Sequence, residues 1–377
     1  MGNGVPRNWG RIINAAQLWP KRGGEQGRVD GLCRDGHARR VESGPIMLRV
    51  YFRENGCLTP RDLDAGASDD MPDGLIPWID LLNPTPREDR FVEQHLGLSI
   101  PTREEMQEIE VSARLYNEGG AEFMTMTALV RLDTDEPGAT PITFILKDDT
   151  LVTVRYAEPR PFHTFAQRAM KPDFVPSGTG EQIMLGLLEA LIDRLADALE
   201  RAGARIDFIS HEVFRPSPGK RTIKARNLEG VIENIGREGD FLGLTRESLV
   251  SISRLSAYHM ANFETDHRTD KDARVRLRLV QRDVTSLSDH ATYLTGKNQF
   301  MLDATLGLIN LEQNQIIKIF SIAAVCLMPP TLVASVYGMN FKHMPELDWE
   351  FGYPMSLIMM IVAAILPYLY FKRRGWL

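Results

Sequence analysis

Tyr337-Gly338-Met339-Asn340-Phe341, followed by Met344-Pro345-Glu346-Leu347, lies between two long apolar runs near the C-terminus. The runs, residues 316–337 and 353–371, each reach the ~20 residues that a transmembrane helix needs. The first is broken only by Lys318 at its start, and the second holds no charge. Two such runs in tandem read as a membrane hairpin rather than as buried core helices. The motif therefore sits where the first span leaves the bilayer. A glycine and an asparagine there need a reason, because unpaired polar groups are costly at membrane depth. Pro329-Pro330 inside the first run is tolerated in a membrane helix if neighbouring helices or water satisfy the freed carbonyls.

Flanking charge sets an orientation. Lys372, Arg373 and Arg374 follow the second run, whereas the connecting loop holds Lys342 against Glu346, Asp348 and Glu350. The positive-inside rule puts both termini in the cytoplasm and the loop outside.

Read by sevens, the first span has a polar line. Asn314, Ile317, Ser321, Ala324, Met328, Thr331, Ser335 and Gly338 fall at alternating steps of three and four. Continued backwards, the line passes Asn310, Gly307, Asp303, Phe300, Gly296, Tyr293 and Asp289. It is far more polar than the face holding Ile319, Cys326 and Val333. Packing through small residues accounts for Gly, Ala, Ser and Thr. It leaves Asp303, Asn310 and Asn314 unexplained, and a ring of helices around water accounts for all of them.

Upstream, residues 1–46 are rich in Gly and Arg, with little apolar periodicity and no signal-peptide core, and are expected to be a disordered extension. Residues 47–178 alternate like a compact α/β domain. Its expected strands are 48–52, 75–81, 122–130, 141–146 and 151–156, with a tight turn at Asp148-Asp149. Its expected helices are 86–96 and 102–108, the second opened by the capping-box pair Thr102 and Glu105. Residues 179–315 read as a long-helix funnel and stalk, broken at Arg215-Pro216-Ser217-Pro218-Gly219 and again near 266–272. A helix from 273 to 340 would be ~100 Å long, far beyond what a bilayer needs. The fold class is α+β, with a two-helix transmembrane domain at 316–377.

Composition narrows the function. Acidic residues outnumber basic ones, 50 to 44, which argues against nucleic-acid binding by bulk charge. Cys33, Cys57 and Cys326 have no metal-site or disulfide-framework spacing. No HExxH, GxSxG or strand-linked GxGxxG marks an enzyme. Gly219-Lys220-Arg221-Thr222 is only faintly like a P-loop, and Phe214 stands where the first glycine belongs. His211-Glu212 lacks a second histidine at helical spacing. A membrane-tethered scaffold, the other rival, has no use for the polar line or for Asn340.

These residues resemble the CorA family of divalent-cation channels. The resemblance spans residues 47–377 and rests on Tyr337-Gly338-Met339-Asn340 with Met344-Pro345-Glu346-Leu347, the two C-terminal spans, the basic tail, Phe351-Gly352-Tyr353-Pro354, Tyr368-Leu369-Tyr370-Phe371-Lys372 and Trp78-Ile79-Asp80-Leu81. The sister ZntB-like zinc transporters, the alternative, share Gly-Met-Asn but usually lack this pairing. The resemblance implies no enzyme but a funnel-shaped homopentamer in the bacterial inner membrane. Magnesium is its implied cargo and regulatory ion, with cobalt and nickel as further divalent cargo, and no other cofactor is implied. Gly338 and Asn340 match the outer selectivity ring. Asn314, Ile317, Phe320, Met328 and Thr331 match pore-lining positions, with Phe320 rather than Ser321 at an apolar constriction, one residue off the heptad line. Asp303 matches an acidic position of the wide inner pore, and with Asn314 and Asn340 it forms the expected set of metal-facing residues. Gating in the family runs through magnesium held between cytoplasmic domains. For that role Asp283, Asp289, Glu88 and Asp89 are candidates, although for each one an ordinary solvated face is an equal reading.

Overall fold

Period-two alternation decides which side chains line each face of a sheet. The structure, a computed structural model, describes residues 48–376 apart from 55, 64–70, 72–73, 135, 172–177, 215–227, 266–270 and 340–348. The N-terminal extension, Gly219 to Thr222, Asn340 and the Met344 to Leu347 motif lie outside the described residues.

Seven strands, β1 (Leu48–Glu54), β2 (Cys57–Leu63), β3 (Trp78–Leu82), β4 (Leu115–Glu118), β5 (Ala121–Val130), β6 (Gly138–Lys147) and β7 (Thr150–Arg155), form one sheet ordered β2-β1-β3-β7-β6-β5-β4. Only β3 and β7 pair in parallel. Tyr51, Trp78, Met124, Met126 and Phe144 point to one face, and their neighbours Val50, Ile79, Phe123 and Ile145 point to the other. The second face is closed by the short helices α1 (Pro86–Leu96) and α2 (Arg103–Met106), followed by α3 (Val111–Arg114). The first face is closed by α4 (Arg160–Ala169), α5 (Gly180–Phe214) and α6 (Leu228–Thr265). Then α7 (Lys271–Tyr337) runs along α5 and α6, and α8 (Gly352–Arg373) returns beside its far end.

Local chemistry fixes several boundaries. Thr85 and Thr102 each cap a helix, and Glu88 and Glu105 reach back to complete two capping boxes. The turn at Asp148 takes a positive φ of 52°, as a tight β6–β7 hairpin demands. Two strands depart from the sequence reading. β2 carries Pro60, which argues against a strand, yet β2 is an edge strand and tolerates it. β4 is four residues long at the opposite edge. α4 has prolines at its start, where a missing N–H costs nothing.

Gly180 opens α5 where helix and sheet touch. Its N–H donates to Asp149 O at 2.7 Å. A Cβ there would stand 2.4 Å from Leu151 N. Gly180→Ala is expected to cost about 1–3 kcal/mol by overpacking. The check is a lower thermal midpoint of the purified protein, and an unchanged midpoint contradicts this close approach.

Candidate functional site: the pore-helix face

The helix α7 is continuous over 67 residues, about 100 Å. Its contacts divide it into faces. Val280, Val284, Ala291, Leu294, Asn298, Met301 and Thr305 are buried on the side of α7 that runs along α5 and α6. Higher up, Ile322 is buried, while Cys326, Pro329, Pro330, Val333 and Tyr337 are half-buried at steps of three and four. This is the stripe that α8 covers.

The polar line is open along its whole length, as are the apolar positions Ile316, Leu327 and Leu332 beside it. Asp289, Tyr293, Gly296, Phe300, Asp303, Gly307, Asn310, Asn314, Ile317, Ser321, Ala324, Met328, Thr331, Ser335 and Gly338 are all exposed. Phe320, beside that line, is 71% exposed, so both it and Ser321 are open to a partner helix. Ile319, on the same less polar face as Cys326 and Val333, is nonetheless 55% exposed. Ile322 is the true interior position.

At the outer end, Gly338 N donates to Ala334 O at 2.9 Å and Met339 N to Val336 O at 3.3 Å, closing the helix. A Cβ on Gly338 would approach Ala334 O to 3.0 Å, which explains a glycine in this turn. The Thr331 hydroxyl turns back to Leu327 O and Met328 O, at 3.0 and 2.8 Å. Pro329 and Pro330 have no backbone donor for the carbonyls of Val325 and Cys326, one turn earlier.

Acidic candidates lie in two separate places. Glu88 and Asp89 sit on α1, on the sheet face away from the long helices. Glu88 is engaged in capping, accepting from Thr85 N at 2.8 Å. The Asp89 Oδ1 atom is buried without a hydrogen bond, and burial, then Glu93 and Glu88, push its carboxyl up to about 6. On α7, Asp283 is exposed beside Arg282 at 3.3 Å, and Asp289 lies on the open line. Asp283 also faces α5: burial, then Glu189, Asp197 and Asp283, raise the pKa of Asp193. Glu189, Asp193 and Asp197 recur every fourth residue, and that spacing was the sequence signal for this group. No three His, Cys, Asp or Glu side chains converge as a metal site among the described residues.

At the other end of the membrane segment, α8 closes with Lys372 and Arg373, and the Arg374 guanidinium lies 5.6 Å over the Tyr370 ring. Both α7 and α8 are long and apolar enough to cross a bilayer.

The family model described as CorA-like Mg2+ transporter protein matches residues 74–373. The magnesium transport protein CorA of Yersinia pseudotuberculosis is 35% identical over 333 residues, covering 88% of this chain and 100% of that protein. The Escherichia coli K12 protein of the same name is 34% identical over 332 residues, with the same coverage. The solved structure of the CorA magnesium transporter from Methanocaldococcus jannaschii superposes with a TM-score of 0.69 at 18% identity, covering 88% of this chain and 99% of that one. The full-length CmaX protein gives 0.60 at 14%, covering 89% and 100%. The extent of the sequence match shows that this chain belongs to the CorA family of membrane transporters.

Proposed function

We propose that the chain is one subunit of a homopentameric channel that lets magnesium into the cell across the bacterial inner membrane. One observation carries this reading: every position of the polar line of α7 from Asp289 to Gly338 is exposed, whereas the stripe through Ile322, Cys326, Val333 and Tyr337 is buried or half-buried. Five such lines around an axis make a water-filled pore, and α8 forms the lipid-facing ring. Lys318 and the Lys372-Arg373-Arg374 tail support cytoplasmic termini.

Magnesium gives up water reluctantly. A filter of Asn340 amide oxygens and Gly338 carbonyls accepts hydrogen bonds from the ion's water shell and strips nothing. No carboxylate lies in Tyr337 to Asn340, so binding stays weak enough for release. Exposed Met328, and the Ile317 and Phe320 level, form apolar constrictions that gate by dewetting. The inside-negative potential supplies ~2.3 kcal/mol per charge per 100 mV, doubled for a divalent ion. Internal magnesium bound between neighbouring cytoplasmic domains closes the pore. Asp283, whose charge acts on Asp193 of the α5 acidic row, is the candidate on α7.

Flux of magnesium into liposomes holding the purified protein tests the reading, and zinc flux without magnesium flux would favour the zinc-transporting alternative. Cysteines at Asp303 and Asn314 are expected to react with water-soluble thiol reagents, and one at Ile322 is not. Equal labelling at all three removes the pore assignment of this face.

A further inference from the structure

The helix α6 is a single layer between the sheet and the pore helix. It runs antiparallel to β5 and is tied to the sheet along its length. Thr127 N donates to Ser251 Oγ at 2.9 Å, and Asn117 on β4 meets Asn262 at 3.4 Å. On its other side, Gln281 of α7 donates to Ser256 O at 3.2 Å and Asn298 of α7 donates to Ile235 O at 2.9 Å. Between the two sheet ties stands His259, fully buried. Its Nδ1 lies 2.7 Å from Glu122 Oε2 on β5, and its Nε2 lies 3.0 Å from Glu181 Oε1 on the first turn of α5.

A neutral imidazole donates from one nitrogen only. Flanked by two carboxylates, one of its contacts would then set a lone pair against an oxyanion. The geometry therefore holds the ring as an imidazolium donating twice. We propose that His259 is a positioning residue for gating, a charged joint through which the sheet, α5 and α6 shift as one body when α7 moves. The inference rests on the reading of the chain as a channel closed by internal magnesium.

The groups around the ring are few. Glu122 faces it from β5 and Glu181 from α5. Tyr258, its neighbour on α6, is engaged with Asn262. The next contacts along α6 are apolar, where Met260 and Phe263 meet Leu185 of α5 and Ala273 and Leu277 of α7. Burial works to lower the His259 pKa, but the hydrogen bonds it donates to Glu122 and Glu181 override it and push it up to about 9. With a raised pKa, the joint's stabilisation is full below the free value of 6.5 and is lost as pH rises through about 9.

The test uses the full chain in liposomes and reads the internal magnesium concentration that halves the flux. In the parental protein this concentration is expected to move by about fivefold as the pH passes from the lower to the higher of those values, the lower end of ordinary allosteric couplings. H259Q at neutral pH is expected to behave like the parental protein at alkaline pH. The double variant E122Q/E181Q offers amides that bond either nitrogen of a neutral ring, so its pH response is expected to flatten. A purely structural role would lower stability in H259Q and leave the half-closing concentration in place. If H259Q does not fold, an equal pH response in the parental protein and in E122Q/E181Q overturns the proposal. A parental protein that conducts no magnesium fails the channel reading instead. One that conducts and closes with no dependence on pH or His259 fails this inference alone.

Discussion

Asn340→Ala is expected to abolish selective magnesium uptake while leaving the protein folded and assembled. The residue follows the helix-closing turn at Gly338 and Met339, at the outer end of the exposed line of α7. In the proposed pentamer each subunit offers one uncharged amide oxygen to a water of the hydrated ion. Hydrogen bonds to a charged partner are worth roughly 1.5–3 kcal/mol each. Even a fraction of that, summed around a ring, separates conduction from none. Asn340→Asp keeps the shape and adds charge, so it is expected to bind the ion more tightly and release it more slowly. Flux in liposomes, with assembly followed by gel filtration, is the measurement. Normal assembly with parental flux in the alanine variant would remove this residue from the filter.

The second large effect lies in the sheet. Asp80→Ala is expected to destabilise the sheet domain by about 3–5 kcal/mol, the cost of leaving one member of a buried ion pair alone. Asp80 on β3 and Arg155 on β7 lie on neighbouring parallel strands, with Arg155 two positions beyond Thr153, the register partner of Asp80, and their side chains are only 5% and 6% exposed. Arg155 Nε and Nη2 donate to the two carboxylate oxygens at 2.9 and 2.7 Å. Thr153 Oγ1 adds a third bond at 2.8 Å and itself accepts from Trp78 Nε1 at 3.0 Å. Removing the carboxylate orphans the guanidinium and breaks that chain of bonds. Replacing both partners, as in Asp80→Leu with Arg155→Met, is expected to recover most of the loss, because no charge is then left unpaired. Thermal unfolding of the three proteins decides it, and a double variant no better than Asp80→Ala counts against the explanation.

Where local chemistry set an element, the sequence was readable. The limits of α1 follow from Thr85, Pro86 and Glu88, and the membrane hairpin follows from apolar length alone. The open face of α7 was legible as a heptad because its spacing is written in consecutive turns. Legibility failed where a residue's meaning depends on distant partners. Pro60 is harmless only because β2 is an edge. His259 is an isolated histidine in a helical stretch until Glu122 and Glu181, 137 and 78 positions away, are brought to its two nitrogens. The α5 acids stood in plain spacing, but only the packing of α7 set Asp283 against them.

The unbroken length of α7 has a mechanical consequence. A rod of about 100 Å that pivots near one end by about 3° carries its other end through about 5 Å, by simple geometry from the helical rise. Modest slippage where α7 beds against α5 and α6 is thereby magnified into a radial displacement wider than a water molecule at the far end. Force scales the other way: what a push at the base gains in travel at the far end it gives up in force there, in the same proportion.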